Sequence, residues 1–411
     1  MNIEPVDIGK FKQVYRARNE GDFPKEIIIV LKKMNDLKYG ENPNQHAAMY
    51  TVKSENGKLI PPSAVLDLTY VRSDEQGKGG LSQTNVMDIC RATDVLKFFP
   101  DPAVVIMKHN IVSGFAKASS EQPSSHALPE LFRAARDCDL RSNFGGTAVF
   151  NRPLDMETAE ALFELKGESP FFVDVIAATE YEAGVIDYLQ SRSKTIRIAK
   201  TDYDGILRLP KFVGDDCHGL YSLKDLGGGW IAIQDLLLTR IRSNDDFILR
   251  PMVADNERKY HIIETLPSEK NLDDLLTAWY LNLAGARSNG VVFVKDDVLV
   301  SMGSGQVERV GAVEQAIIKG TQKAMDRLNI KYDSLMGIAG ALEHGINPFL
   351  GASCSSDGFF PFSDSVDLLA RVGVAAVAPP YGSKNDYLVI DAANRHRIAM
   401  PATLERCFGH F

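Results

Sequence analysis

Lys108 and His109 stand side by side directly after the apolar run Ala103-Val104-Val105-Ile106-Met107. Five apolar residues behind Asp101-Pro102 read as a buried strand. Such a strand would deliver an ammonium and an imidazole together to whatever cleft lies above the sheet. Histidine titrates near neutral pH and is the side chain most often used to move protons, so the pair suits general acid–base chemistry. Taken alone, it reads more simply as two solvated polar residues at a strand end. Its weight comes from the clusters found elsewhere in the chain.

Five other segments cluster polar residues, four of them with an aromatic. Lys38-Tyr39-Gly40-Glu41-Asn42-Pro43-Asn44-Gln45 packs a cation, a phenol and amides among turn formers. Ser142-Asn143-Phe144-Gly145-Gly146 is a polar loop around one aromatic. Arg287-Ser288-Asn289 precedes a hairpin pattern, and Arg309 lies just beyond it. Asp357-Gly358-Phe359-Phe360-Pro361-Phe362 reads either as a core corner or as a flat apolar wall for a planar ring. Arg406-Cys407-Phe408-Gly409-His410 sets a cation near the chain end, where a frayed tail is the usual expectation.

Several chemistries are excluded. Gly303-Ser304-Gly305-Gln306-Val307-Glu308 puts a carboxylate where a dinucleotide loop needs its third glycine. A phosphate-loop Lys-Ser/Thr signature is absent. The Cys-x-x-Cys and His-x-Glu of a zinc deaminase are also missing, so no zinc is expected. A formal charge of −8 and the lack of a Lys/Arg-rich block argue against nucleic-acid binding.

The elements that must position these residues alternate between helix and strand. At 411 residues, 45% apolar and 24% charged, the chain can hold two α/β domains. Ala127 to Cys138 places Leu128, Leu131, Phe132 and Ala135 on one helical face. Asp155 N-caps a helix burying Ala159, Leu162 and Phe163 and stopped by Gly167. Asn271 opens another, burying Leu272, Leu275, Leu276, Trp279 and Leu283. Gly290 to Gly303 reads as a hairpin around Lys295-Asp296-Asp297, followed by a helix with Val313, Ala316, Ile317, Ala324 and Leu328 inward. Val374 to Ala378 is a short buried strand ended by Pro379-Pro380.

The polar stretch Lys194 to Asp216 is the expected domain junction, with Gly227-Gly228-Gly229 a competing hinge. No repeat of 20 to 50 residues is visible. Five scattered cysteines, a charged N-terminal region and no 18-residue apolar stretch point to a reduced, cytoplasmic protein.

Taken together and in order, these segments resemble AICAR transformylase, the formyl-transfer half of the bifunctional purine-biosynthesis enzyme that also carries IMP cyclohydrolase. The matching elements are Tyr39-Gly40-x-Asn42-Pro43-x-Gln45, Leu81-Ser82 through Asn85 and Asp88, Lys108-His109, Ser142-x-Phe144-Gly145-Gly146 and Ser288-Asn289. They continue with Gly305-Gln306 through Arg309, Ser356-Asp357 through Pro361-Phe362, and Arg406-x-Phe408. Only 38 residues precede Tyr39, so a stand-alone transformylase is expected, with a separate IMP cyclohydrolase in the pathway.

The resemblance implies a fold of two tandem cytidine-deaminase-like α/β domains without zinc, expected at 1–205 and 206–411. It also implies a homodimer with shared active sites. By resemblance Lys108, His109 and Asn289 are catalytic, with His109 as base, Lys108 assisting and Asn289 donating to the formyl oxygen. Lys38, Tyr39, Arg309 and Arg406 would hold the nucleotide phosphate. Phe359 and Pro361 would wall the pterin of 10-formyltetrahydrofolate, and Asn85 and Asp174 would supply polar contacts. Relatives can hold a monovalent cation, potassium, in the region of Asp357.

Three departures from the family pattern stand out. Lys38 replaces an arginine, Ile111-Val112-Ser113-Gly114 replaces an Asn-Pro-Cys-Gly loop, and Ser363 and Ser365 replace residues near the folate. They keep open a relative using another amine or formyl donor, and a non-catalytic nucleotide-binding protein.

Overall fold

The computed structural model describes residues 3–11, 23, 25–52, 69–71, 80–119, 128–166, 169–218, 220–331, 340–341 and 345–410. The chain is a mixed α/β protein built on one ten-stranded sheet. Its strands are β1 (Thr69–Tyr70), β2 (Ala103–Lys108), β3 (Ile111–Lys117), β4 (Thr147–Phe150) and β5 (Val175–Ala178). The others are β6 (Arg197–Lys200), β7 (Val291–Lys295), β8 (Val298–Gly303), β9 (Ser353–Ser356) and β10 (Ala376–Ala378). Their order across the sheet is β10-β9-β7-β8-β3-β2-β4-β5-β6-β1. Three neighbouring pairs run parallel and six antiparallel, so the sheet is mixed.

That order contains the same arrangement twice. Helix α1 (Gln83–Leu96) leads into the hairpin β2–β3, then α2 (Leu128–Asp137), β4, α3 (Met156–Ala161), β5, α4 (Val185–Arg192) and β6. After α5 (Tyr203–Arg208), helix α6 (Glu269–Gly285) leads into β7–β8, then α7 (Arg309–Arg327), β9, α8 (Asp364–Arg371), β10 and α9 (Asp386–His396). In each copy the first hairpin strand also pairs antiparallel with the strand that follows the next long helix. The copies meet through β3 and β8, antiparallel at Val298 and Ala116. Consequently the β2–β3 turn and the open end of the β7–β8 hairpin lie on the same edge of the sheet.

Alternation along the strands builds the layers. Val105 and Met107 face one way, into a core shared with Val95 and Leu96 of α1 and Leu275, Ala278 and Trp279 of α6. Val104 and Ile106 face the other way, against Leu131 and Phe132 of α2. In the second copy Val291 and Phe293 meet Val313 and Ala316 of α7. The N-terminal strand Val6–Asp7 pairs with Pro251–Ala254, and Ile8 enters the core of the second copy.

Several sequence-based expectations need correction. The helix capped by Asp155, which accepts from Thr158 N at 2.7 Å, ends at Ala161, and Phe163 lies past its end. Gly167 lies outside the described residues. Asn271 does not open its helix; Ser268 does, and Asn271 completes the capping box three residues in. Leu328 is a C-cap and 60% exposed rather than inward. Lys194 to Asp216 is no junction loop, because it holds β6 and α5 and buries Ile196, Ile198, Ala199, Ile206 and Leu209. Its charged residues alternate with these aliphatics, which disguised the pattern. Gly228 and Gly229 turn a two-stranded hairpin between Ser222–Gly227 and Trp230–Gln234. Finally, Ile111 to Gly114 belongs to β3 and is not a loop.

Candidate active site

His109 and Asn110 form the whole turn between β2 and β3, with φ of 53° and 64°. Two consecutive left-handed residues make the tight turn whose twist matches the flanking strands, and asparagine tolerates that conformation well. Lys108 therefore ends a strand buried over its whole apolar run, while His109 is exposed at the tip.

Two further contacts lock this turn. Lys108 Nζ donates to the carbonyls of Gly145 at 2.7 Å and Phe144 at 3.1 Å. The Asn110 amide donates to Asp88 Oδ1 at 2.7 Å, and Thr147 Oγ1 donates to Asp88 Oδ2 at 3.1 Å. Asp88 is 4% exposed, and burial pushes its carboxyl pKa up. In the sequence Asp88 is only a motif position; six residues past Ser82, it lies on the buried face of α1.

The other first-copy residues follow in a continuous line of contacts. Asn85 Oδ1 accepts from Ser82 N at 3.1 Å, so its side chain caps α1. Lys38 N donates to Leu81 O and Gln83 N donates to Tyr39 O, which lays Lys38-Tyr39 beside that helix start. Lys38 Nζ stands 5.2 Å from the Tyr39 ring centroid. Asp174 pairs with the buried Arg197 at 2.6 Å, and Arg197 Nε also holds Gly80 O at 3.0 Å. Asp174 N donates to Gly146 O at 2.9 Å, closing the line back to the Lys108 carbonyls.

The second-copy residues surround a cleft of ≈ 550 Å³. Asn289, Arg309, Phe359, Pro361, Phe362 and Phe408 line it. Asn289 Nδ2 donates to Gln306 O at 2.8 Å and Val307 O at 3.1 Å. Arg309 is buried and ion-paired through Nη1 with Asp357, whose other oxygen accepts from Ser288 Oγ at 2.6 Å. Arg406 is exposed and lies 4.8 Å over the Phe408 ring. The tail is not frayed: Cys407 N donates to Asp357 O, and Gly409 O accepts from Ser288 N. Ser365 is buried in α8, so its neighbour Asp364 lines the cleft in its place.

The two groups stay apart within one chain. β2, which ends at Lys108, and β7, which begins just after Asn289, are separated by β3 and β8, three inter-strand steps or roughly 14 Å between strand axes. Among the described residues, no three His, Cys, Asp or Glu side chains converge as metal ligands, and no helix is long and apolar enough to cross a membrane.

Fold and site together define an α/β protein with a lysine–histidine turn and an aromatic cleft on one edge of a duplicated sheet. The chain belongs to the AICARFT/IMPCHase bienzyme family, whose sequence profile matches residues 9–319. It is 32% identical over 389 residues to the bifunctional purine biosynthesis protein PurH of Persephonella marina, covering 94% of this chain and 62% of that protein. With the PurH protein of Magnetococcus marinus it shares 33% identity over 390 residues, covering 95% and 62%. With that of Aquifex aeolicus the identity is 30% over 401 residues, covering 97% and 63%. The chain thus spans less than two thirds of the length of these curated relatives.

Proposed function

We propose that this chain is a phosphoribosylaminoimidazolecarboxamide formyltransferase, moving a formyl group from 10-formyltetrahydrofolate to the 5-amino group of AICAR. The observation that carries the reading is the Lys108-His109 pair, fixed on a two-residue turn with His109 exposed, in a chain of this family. The 5-amino nitrogen is conjugated with its ring and is a weak nucleophile. It attacks the formyl carbon while His109 takes its proton, which gives a tetrahedral intermediate. The bond from that carbon to folate N10 then breaks, N10 gains a proton, and tetrahydrofolate leaves. Lys108, adjacent to His109, assists by supplying that proton or by facing the oxyanion.

Asn289 is proposed as the oxyanion donor, turning one Nδ2 hydrogen from Val307 O to the formyl oxygen, work that typically contributes a few kcal/mol. Lys38, Tyr39 and Arg406 are proposed to hold the phosphate. Arg309 belongs to the same set, with part of its charge balanced by Asp357. Phe359 and Pro361 are proposed to wall the pterin, with Asn85 and Asp174 as polar contacts. A potassium ion at Asp357 would face the Arg309 guanidinium, so the side chains there do not fit one, and no step is routed through it.

The placement of Lys108 and Asn289 on strands three steps apart supports a homodimer in which each site draws on both chains. The duplicated topology supports two tandem cytidine-deaminase-like domains, with the N-terminal strand crossing to the second. The expected division at 205 and 206 falls inside α5, so the boundary is proposed between α5 and α6 instead. The setting is proposed as cytoplasmic, with a cyclohydrolase consuming the product. The test is tetrahydrofolate release from 10-formyltetrahydrofolate plus AICAR, with His109→Ala as control. Turnover lost in the variant supports the reading; no turnover in folded wild-type protein overturns it.

A further inference from the structure

The clasp beneath the Lys108-His109 turn occurs twice in this chain. In the first copy Ser82 caps α1, Asn85 completes the capping box, and Asp88 follows three residues later. In the second copy Ser268, Asn271 and Asp274 repeat that spacing at the start of α6. Asp88 accepts the amide of Asn110, 22 residues downstream, at the tip of its hairpin. Asp274 accepts the amides of Asp296 at 3.2 Å and of Asp297 at 3.0 Å, the two residues of its own hairpin tip. Both tips are two-residue turns with positive φ at each residue. Both aspartates are buried, 4% and 2% exposed.

The lysine before each turn repeats as well. Lys108 Nζ donates to Gly145 O, and Lys295 Nζ donates to Leu350 O at 2.9 Å, just before Gly351. Gly145 and Gly351 both have positive φ, 69° and 76°. Both turn residues differ in chemistry: the first copy carries His109-Asn110 and the second Asp296-Asp297, where Asp296 pairs with Lys270. The clasp is therefore a way of fixing a hairpin tip, and in the first copy that tip holds an imidazole.

We infer that Asp88 is a positioning residue for the proposed transfer: it fixes the His109-Asn110 tip and sets a carboxylate under the histidine. Its role in turnover rests on the formyl-transfer reading; its hold on the turn does not. The groups facing the Asp88 carboxylate are the Asn110 amide, the Thr147 hydroxyl on β4, and the side chains of Lys108 and His109. Burial pushes the Asp88 carboxyl up, and those hydrogen bonds and basic side chains hold it partway down. The turn is thereby gripped at Asn110, which fixes where the exposed His109 stands.

The test is hydrogen exchange at the Asn110 amide, followed by NMR, together with kcat and KM. Asp88→Ala removes the acceptor and is expected to speed that exchange about 10-fold or more. It is expected to lower kcat about 10-fold or more, with KM for the nucleotide within about 2-fold. Asp274→Ala, at the opposite edge of the sheet, moves neither. Thr147→Val removes one bond to the carboxylate and moves both readouts in the same direction, which serves if Asp88→Ala does not fold. Unchanged Asn110 exchange in folded Asp88→Ala or in Thr147→Val, or an equal fall of kcat in Asp274→Ala, overturns the inference. Absence of turnover in the wild type would overturn the formyl-transfer reading instead, and the exchange would still decide on Asp88.

Discussion

Arg309 and Asp357 form a buried ion pair, their side chains only 7% and 2% exposed, at the head of α7. The pair ties the cleft to the C-terminal segment, because Asp357 also accepts from Ser288 and its carbonyl accepts from Cys407 N. Removing one partner leaves a largely buried charge without its counter-charge. Asp357→Ala is therefore expected to lower the free energy of unfolding by about 3–5 kcal/mol, measured by urea denaturation. Arg309→Met combined with Asp357→Ala should be more stable than Asp357→Ala alone. The opposite order would mean that the guanidinium is adequately held by Gly290 O, its other acceptor at 3.2 Å.

The left-handed turn makes a second prediction. Asn110 has φ of 64° and is buried, and its amide is tied to Asp88. Asn110→Val forces a β-branched residue into that conformation, at a cost of roughly 1–2 kcal/mol. Asn110→Gly avoids the strain and should retain most activity. Equal stability of the two variants would show that the turn relaxes.

For Lys108 the expectation is kinetic. Lys108→Met keeps much of the stem but removes the ammonium held by Gly145 O and Phe144 O. Under the proposed reaction kcat should fall on the order of 100-fold, with little change in KM for AICAR. A change confined to KM would recast Lys108 as a binding residue.

One pH dependence of stability should be visible away from the site. His261 is held by Asp391 at 2.7 Å and Asp255 at 3.1 Å, and its pKa is raised, first by the hydrogen bond to Asp391. The folded-state value lies above the unfolded one. This contribution is therefore complete below about pH 6.5, the usual histidine value, and is lost as pH rises through the raised value. Thermal unfolding followed from pH 5.5 to 8.5 should show a decline that His261→Gln flattens. An equal slope in the variant would assign the decline to other groups.

Local patterns carried much of the architecture. The apolar run before Lys108, the Lys295-Asp296-Asp297 hairpin and the Asp155 cap are formed by residues within a few positions of one another. Readings failed where long-range packing decided: β6 hid among charged residues because its pairing with β5 lies outside its own segment. Asn289 and Arg309 were legible as polar residues beside a hairpin. That Arg309 would be balanced by Asp357, 48 residues away, was not.

The order and types of residues, by themselves, determined which family the chain joins, where most helices and strands lie and which groups are candidates for chemistry. Hydrophobic periodicity and side-chain reactivity are properties of nearby residues, so they can be read along the chain. Tertiary structure decided that the fold is a duplication, that both hairpin tips rest on buried aspartates, and that Lys108 and Asn289 stand apart on one edge. No short repeat marks the two copies along the sequence, yet burial and backbone hydrogen bonding impose the same geometry on both. Those forces act between segments far apart in sequence, and only the folded chain brings those segments together.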